Sequence, residues 1–131
     1  MPSRSANLES VNAPTVWEWL DRGDAVLIDV REDREFAAEH IAEARHIALS
    51  TFDASDLPEI EDRVVVYYCL SGRRTTDFAD ELAVAAATAR KAYQMDGGIE
   101  AWKAAGLPTR LGSLAFQLPD RARSVTIAAD A

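Results

Sequence analysis

Two short stretches of this chain are apolar at nearly every position instead of every second one. They are Ala25-Val26-Leu27-Ile28-Asp29-Val30 and Val64-Val65-Val66-Tyr67-Tyr68. A strand with one wet face alternates; an unbroken apolar run marks a strand covered on both faces, as in a parallel sheet. Ala92-Tyr93-Gln94-Met95 reads as a further short strand, and Arg45-His46-Ile47-Ala48 as a weaker one. Helical spacing fills the intervals. Asn12 is placed to cap a helix through Val16, Trp17, Trp19 and Leu20, closed by Gly23, with both tryptophans facing the core. Glu32 to Glu39 forms a short charged helix carrying Phe36. Ser50 to Ile60 is mixed, and Pro58 breaks it. Thr75 to Arg90 reads as the longest helix, with Phe78, Leu82 and Val84-Ala85-Ala86 on its apolar side. After a Gly97-Gly98 turn, Ile99 to Ala105 forms a last helix, stopped by Gly106 with Pro108 just beyond.

Strand and helix therefore alternate, which implies an α/β fold with a parallel sheet. Ligands of such sheets bind outside the carboxyl ends of the strands. Asp29 and Cys69 each end a strong strand, so both belong on that rim. The expected organisation is a loose polar segment over 1–9, one domain over 10–109, and an extension over 110–131, partly docked or loose. In that extension Leu111, Leu114, Phe116 and Leu118 are candidates for packing, and Val125-Thr126-Ile127 for a short edge strand.

Composition narrows the function more than the fold. The chain has 131 residues and a formal charge of −8, which opposes nucleic-acid binding, since that needs a basic face. The single cysteine excludes an internal disulfide and any all-cysteine metal site, and fits a reducing compartment. There is no apolar run of membrane length, and Met1 to Asn7 lacks the apolar stretch of a secretory signal. The expectation is a cytoplasmic protein with no membrane partner.

The chemistry concentrates at Cys69. A lone cysteine is most often a small buried hydrophobe. The residues after Cys69 are poor packing material: Leu70-Ser71-Gly72-Arg73-Arg74-Thr75-Thr76 is a flexible, cationic, donor-rich turn leading into a helix. Backbone N–H groups and a helix N-terminus aimed at the sulfur both favour the thiolate, the reactive form.

Three segments in series resemble the rhodanese-like family. Asp29-Val30-Arg31-Glu32 with Glu35-Phe36 and His40-Ile41 is similar to its opening motif. Cys69-Leu70-Ser71-Gly72-Arg73-Arg74-Thr75 is similar to its active-site loop. Asp96-Gly97-Gly98-Ile99-Glu100-Ala101-Trp102 with Gly106-Leu107-Pro108 is similar to its closing motif. The resemblance covers roughly residues 10–109. It implies a five-stranded parallel sheet flanked by helices on both faces. It also implies sulfur transfer through a persulfide on Cys69, from a sulfane-sulfur donor to a thiol, cyanide or protein acceptor, with no metal or organic cofactor. Carrier, sensor and interaction modules of the family are the alternative. Glu39 and Glu43 stand where the family often has glycine, and Leu70 where thiosulfate-using members often have Arg or Lys. Cysteine phosphatases use a longer loop, with the arginine one position later than Arg74, so phosphatase and arsenate reductase activity rank below sulfur transfer.

The supporting residues each have an ordinary reading as well. Asp29 is a candidate to accept hydrogen bonds from the loop or to pair with Arg74, or simply to cap the next turn. Arg31 is placed near the mouth or in an ion pair with a neighbouring acid. Arg34 and Glu35 lie near the rim on what reads as a solvated helix face. His40 reads as a structural hydrogen-bonding residue, with a proton shuttle as the minority reading; His46 is more weakly placed still, and Trp102 reads as core.

Overall fold

The structure is a computed structural model, and it describes residues 8–112. In chain order the elements are β1 (Glu9–Val11), α1 (Ala13–Arg22), β2 (Ala25–Asp29), α2 (Asp33–Ala38), β3 (Glu39–His40) and β4 (Arg45–His46). After two turns of 3-10 helix come β5 (Val64–Tyr68), α3 (Arg73–Asp77), α4 (Ala79–Ala85), β6 (Ala92–Met95), α5 (Gly98–Ala104) and β7 (Arg110–Leu111). Five strands form one parallel sheet in the order β1-β6-β5-β2-β4.

The two unbroken apolar runs are the centre of that sheet. Every residue of β2 and β5 is buried. Successive side chains of a strand point to opposite faces, so each strand feeds two cores. Leu27, Val66 and Tyr68 join Val16 of α1 and Trp102 of α5 on one face. Val26, Ile28, Val65 and Tyr67 join Leu82 and Ala86 on the other. Helices thus cover both faces, as the resemblance implies. Asp29 pairs in register with Tyr68, which sets the carboxyl ends of β2 and β5 side by side.

Several expectations change here. The segment expected to be loose through residue 9 ends in a strand: β1 runs in register with Tyr93, Gln94 and Met95 of β6. It carries one apolar residue, Val11, and its exposed edge position asks for no more. The long helix from Thr75 begins two residues earlier, at Arg73, and breaks at Phe78, where φ −111° and ψ 23° leave the helical range. The break turns Phe78 outward, and Val84 is likewise exposed. Trp17 is not a core anchor: it is exposed and only its edge meets Trp102, while Ala13 and Val16 are the buried face of α1. Trp19 is half-buried against Tyr93. The extension past 109 begins docked, with β7 antiparallel to β3. Leu114, Phe116, Leu118 and Val125-Thr126-Ile127 lie outside the described residues. Among the described residues no helix is long and apolar enough to cross a membrane.

Candidate active site

Cys69 comes directly after β5, at the carboxyl rim of the sheet. The chain then turns through Leu70 and Ser71 to Gly72, whose φ of 98° is a left-handed value that glycine adopts without strain. That turn swings the Gly72 N–H back onto Cys69 Sγ at 3.2 Å. The Thr75 hydroxyl, from the first turn of α3, lies 3.8 Å from the same sulfur. Cys69 itself is only 1% exposed, whereas its neighbour Leu70 is 40% exposed. Ser71 and Arg73 are also exposed, and Arg73 has no ion pair among the described residues.

The loop is clamped from below by α5. The N–H groups of Ile99 and Glu100 donate to the carbonyls of Cys69 (2.9 Å) and Leu70 (3.1 Å). These donors have no partner inside their own helix, so the loop satisfies them and gains a rigid seat. Gly98 makes the approach possible: a Cβ there would stand 2.4 Å from the Leu70 oxygen and 2.5 Å from the Cys69 oxygen.

Two ion pairs flank the loop; one, Arg31 with a neighbouring acid, is among those the sequence suggested, and the other is not. Asp29 does not pair with Arg74. It is fully buried and takes Arg31, with Arg31 Nη2 at 2.8 Å and Nε at 3.0 Å, and the Arg31 backbone N–H at 2.9 Å. Burial opposes the charge of Arg31; the Asp29 hydrogen bond and charge outweigh it and raise its pKa. Arg31 also donates to the Glu39 carbonyl, and so ties the strand end to the segment after α2. Arg74 instead grips Glu35 with both ends of its guanidinium, at 2.8 and 2.9 Å. A planar fork matches a carboxylate in this way. Glu35 accepts the Glu32 N–H as well, closing the first turn of α2. Arg74, with that backbone donor, holds the Glu35 carboxyl at about 2, well below the usual range. The carboxylate in return raises Arg74.

Tyr68 sits under this layer, fully buried, with its hydroxyl taking the Ile41 N–H at 3.1 Å. Burial pushes its pKa up, so it stays a neutral phenol. His40 bonds the Phe36 carbonyl at 2.9 Å and stacks on the Phe36 ring. His46 also stacks on that ring and bonds the Arg31 carbonyl at 2.7 Å. Sequence reasoning missed Gln94, whose Oε1 lies 2.6 Å from Thr75 Oγ1 and 3.1 Å from Thr76 Oγ1. A polar residue late in an otherwise apolar strand was the available signal. Among the described residues no group of three or more His, Cys, Asp or Glu side chains is arranged to hold a metal ion.

The family model of the rhodanese-like domain matches residues 12–105, which span both the clamped loop and the glycine pair beneath it. The chain belongs to the rhodanese-like domain family. A rhodanese-like relative named thiosulfate sulfurtransferase GlpE, from Coxiella burnetii, is 30% identical over 88 residues, covering 67% of this chain and 80% of its own. An uncharacterized protein from Synechocystis is 41% identical over 98 residues, covering 74% of this chain. This chain spans only 54% of that relative's length. Among solved structures, a thiosulfate sulfurtransferase from Pseudomonas aeruginosa superposes with a TM-score of 0.68 at 26% identity, over 83% of this chain and 20% of that one.

Proposed function

We propose that this protein moves a sulfane sulfur from a donor to a nucleophilic acceptor through a persulfide on Cys69. The observation that carries the reading is the Gly72 N–H on Sγ of the sole cysteine, in a loop seated on α5. In the first step the Cys69 thiolate attacks the outer sulfur of the donor. An S–S bond to Cys69 forms, the donor's bond to that sulfur breaks, and the leaving group departs with the pair; with thiosulfate it is sulfite. In the second step a thiol, cyanide or protein acceptor attacks the outer sulfur, and the Cys69 thiolate leaves with the bonding pair. Donor, acceptor and Cys69 balance both steps. Loop N–H groups suit the negative charge that returns to sulfur each time.

The GlpE name of the Coxiella relative supports sulfur transfer as the reaction type. The bidentate Glu35 argues against a phosphatase, because Arg74 is already occupied by a carboxylate and not free for phosphate oxygens. The test is intact mass after incubation with thiosulfate and, separately, with an organic trisulfide. Cys69 should gain one sulfur atom and lose it to cyanide, releasing thiocyanate. Folded Cys69→Ser should do neither. No gain from either donor, or equal thiocyanate from the serine variant, would overturn the proposal.

A further inference from the structure

The Thr75 hydroxyl faces more acceptors than it has protons. Its Oγ1 is 2.6 Å from Gln94 Oε1, 3.1 Å from the Gly72 carbonyl oxygen and 3.8 Å from Cys69 Sγ. One hydroxyl supplies one proton and two lone pairs. With the Gln94 oxygen turned inward, the short contact takes that proton. Thr75 then shows a lone pair to the sulfur. That arrangement suits a neutral thiol, whose S–H donates, and opposes a thiolate.

An amide has two ends of nearly equal size, and reversing it exchanges an acceptor for a donor. Gln94 has room to do so, because it lines an open cleft of about 460 Å3 with Ser10, Thr76 and Asp96. Its Nε2 has no hydrogen-bond partner among the described residues in the present orientation. Once reversed, Nε2 donates to Thr75 Oγ1, and the Thr75 proton is free to turn to either remaining acceptor, the Gly72 carbonyl or the sulfur; the full charge of a thiolate draws it to the sulfur. No proton leaves threonine; the hydroxyl only rotates.

We infer that Gln94 is a positioning residue that acts through Thr75, reversing its amide as Cys69 passes between its neutral and anionic forms. The inference deepens the sulfur-transfer reading and rests on Cys69 being the nucleophile. It makes glutamine the fitting residue at this place, since a carboxylate only accepts and an aliphatic side chain does neither. Other charges near the sulfur come from elsewhere. Arg74 lies on the same helix and is neutralised by Glu35 of α2, and Asp29 with Arg31 closes the neighbouring strand end. Arg73 is exposed at the head of α3, and Asp77 and Asp96 line the cleft beside Gln94.

The test reads the sulfur directly. The full chain has one cysteine, so iodoacetamide alkylation and intact mass together report Cys69 alone. Gln94→Glu should move the pH midpoint of alkylation upward and slow the reaction at neutral pH by about three- to tenfold, the worth of one hydrogen bond. Gln94→Met frees the hydroxyl proton and should give a midpoint at or below that of the unchanged protein. In a Thr75→Val background the Gln94→Glu shift should shrink to the part that added salt screens away. Circular dichroism verifies the fold of each variant, and Gln94→Met keeps the inference testable if Gln94→Glu does not fold. A Gln94→Glu shift of full size without the Thr75 hydroxyl would overturn the inference, as would an equal upward shift in Gln94→Met. Alkylation needs no sulfur donor, so this result stands or falls separately from the mass gain that tests sulfur transfer.

Discussion

Arg74 reaches across 39 positions of sequence to Glu35, and that single pair joins the Cys69 loop to the opening helix of the rhodanese-like motif series. Its pH dependence is set by the direction of the shift. Glu35 is depressed from 4.5 to about 2 in the fold, so the folded state holds its proton less tightly than the unfolded chain does. The stabilisation is therefore complete above about 4.5 and is lost as pH falls toward about 2. Both side chains are about a third exposed, so solvent screens the pair, and it contributes at most about 1 kcal/mol. Glu35→Gln should accordingly lower urea stability at pH 7 by a fraction of that amount. The deficit should narrow from pH 4.5 downward and vanish only as pH falls below about 2. A deficit that persists unchanged at pH 2 would show that shape and packing, not charge, hold Arg74. Glu35 was legible as a rim residue, but its partner was not, because sequence spacing carries no information about a contact this distant.

At the scale of elements, what the sequence reveals depends on how completely an element is buried. β2 and β5 were legible because strands covered on both faces leave no polar alternation to confuse. β1 was not, since an edge strand of three residues with one apolar side chain looks like any loop. The break at Phe78 was hidden for another reason: apolar spacing of 75–90 fits one helix, and only the loop geometry fixes where α3 starts. The seat of the loop on α5 was half legible, as a Gly97-Gly98 turn whose purpose the sequence does not state. Gly98→Ala tests that purpose. Its Cβ would collide with two loop carbonyls at under 3 Å, at a φ of 62° that alanine resists. The expected result is loss of most sulfur transfer together with reduced thermal stability. Gly106→Ala is the control, because its φ is also positive, at 79°, but nothing lies within 4 Å of the added carbon. It should cost about 1 kcal/mol of backbone strain and leave kcat alone. Equal loss of kcat in both variants would mean that the glycine conformation matters and the close approach does not.

Across the whole molecule the charge is −8, and the cations nearest the sulfur are mostly spoken for. Arg31 is buried on Asp29 and Arg74 is closed on Glu35, which leaves Arg73 exposed, with Asp77 and Asp96 on the cleft beside it. Leu70, 40% exposed on the loop, adds none. A dianionic donor such as thiosulfate thus approaches a like-charged surface with little local attraction to offset it. Screening weakens repulsion as well as attraction, with a Debye length of about 10 Å at 0.1 M salt. Raising salt from about 0.01 to about 0.15 M should therefore lower the KM for thiosulfate in the unchanged protein. Leu70→Arg should lower KM at low salt by up to about fivefold, the upper range of an exposed charge pair, with kcat little altered. The two trends oppose one another, so the advantage of the arginine variant should shrink as salt rises. A KM that climbs with salt in the unchanged protein would mean that Arg73 already governs donor capture. A Leu70→Arg variant with KM unchanged or raised would mean that residue 70 faces away from the path by which the donor reaches Cys69.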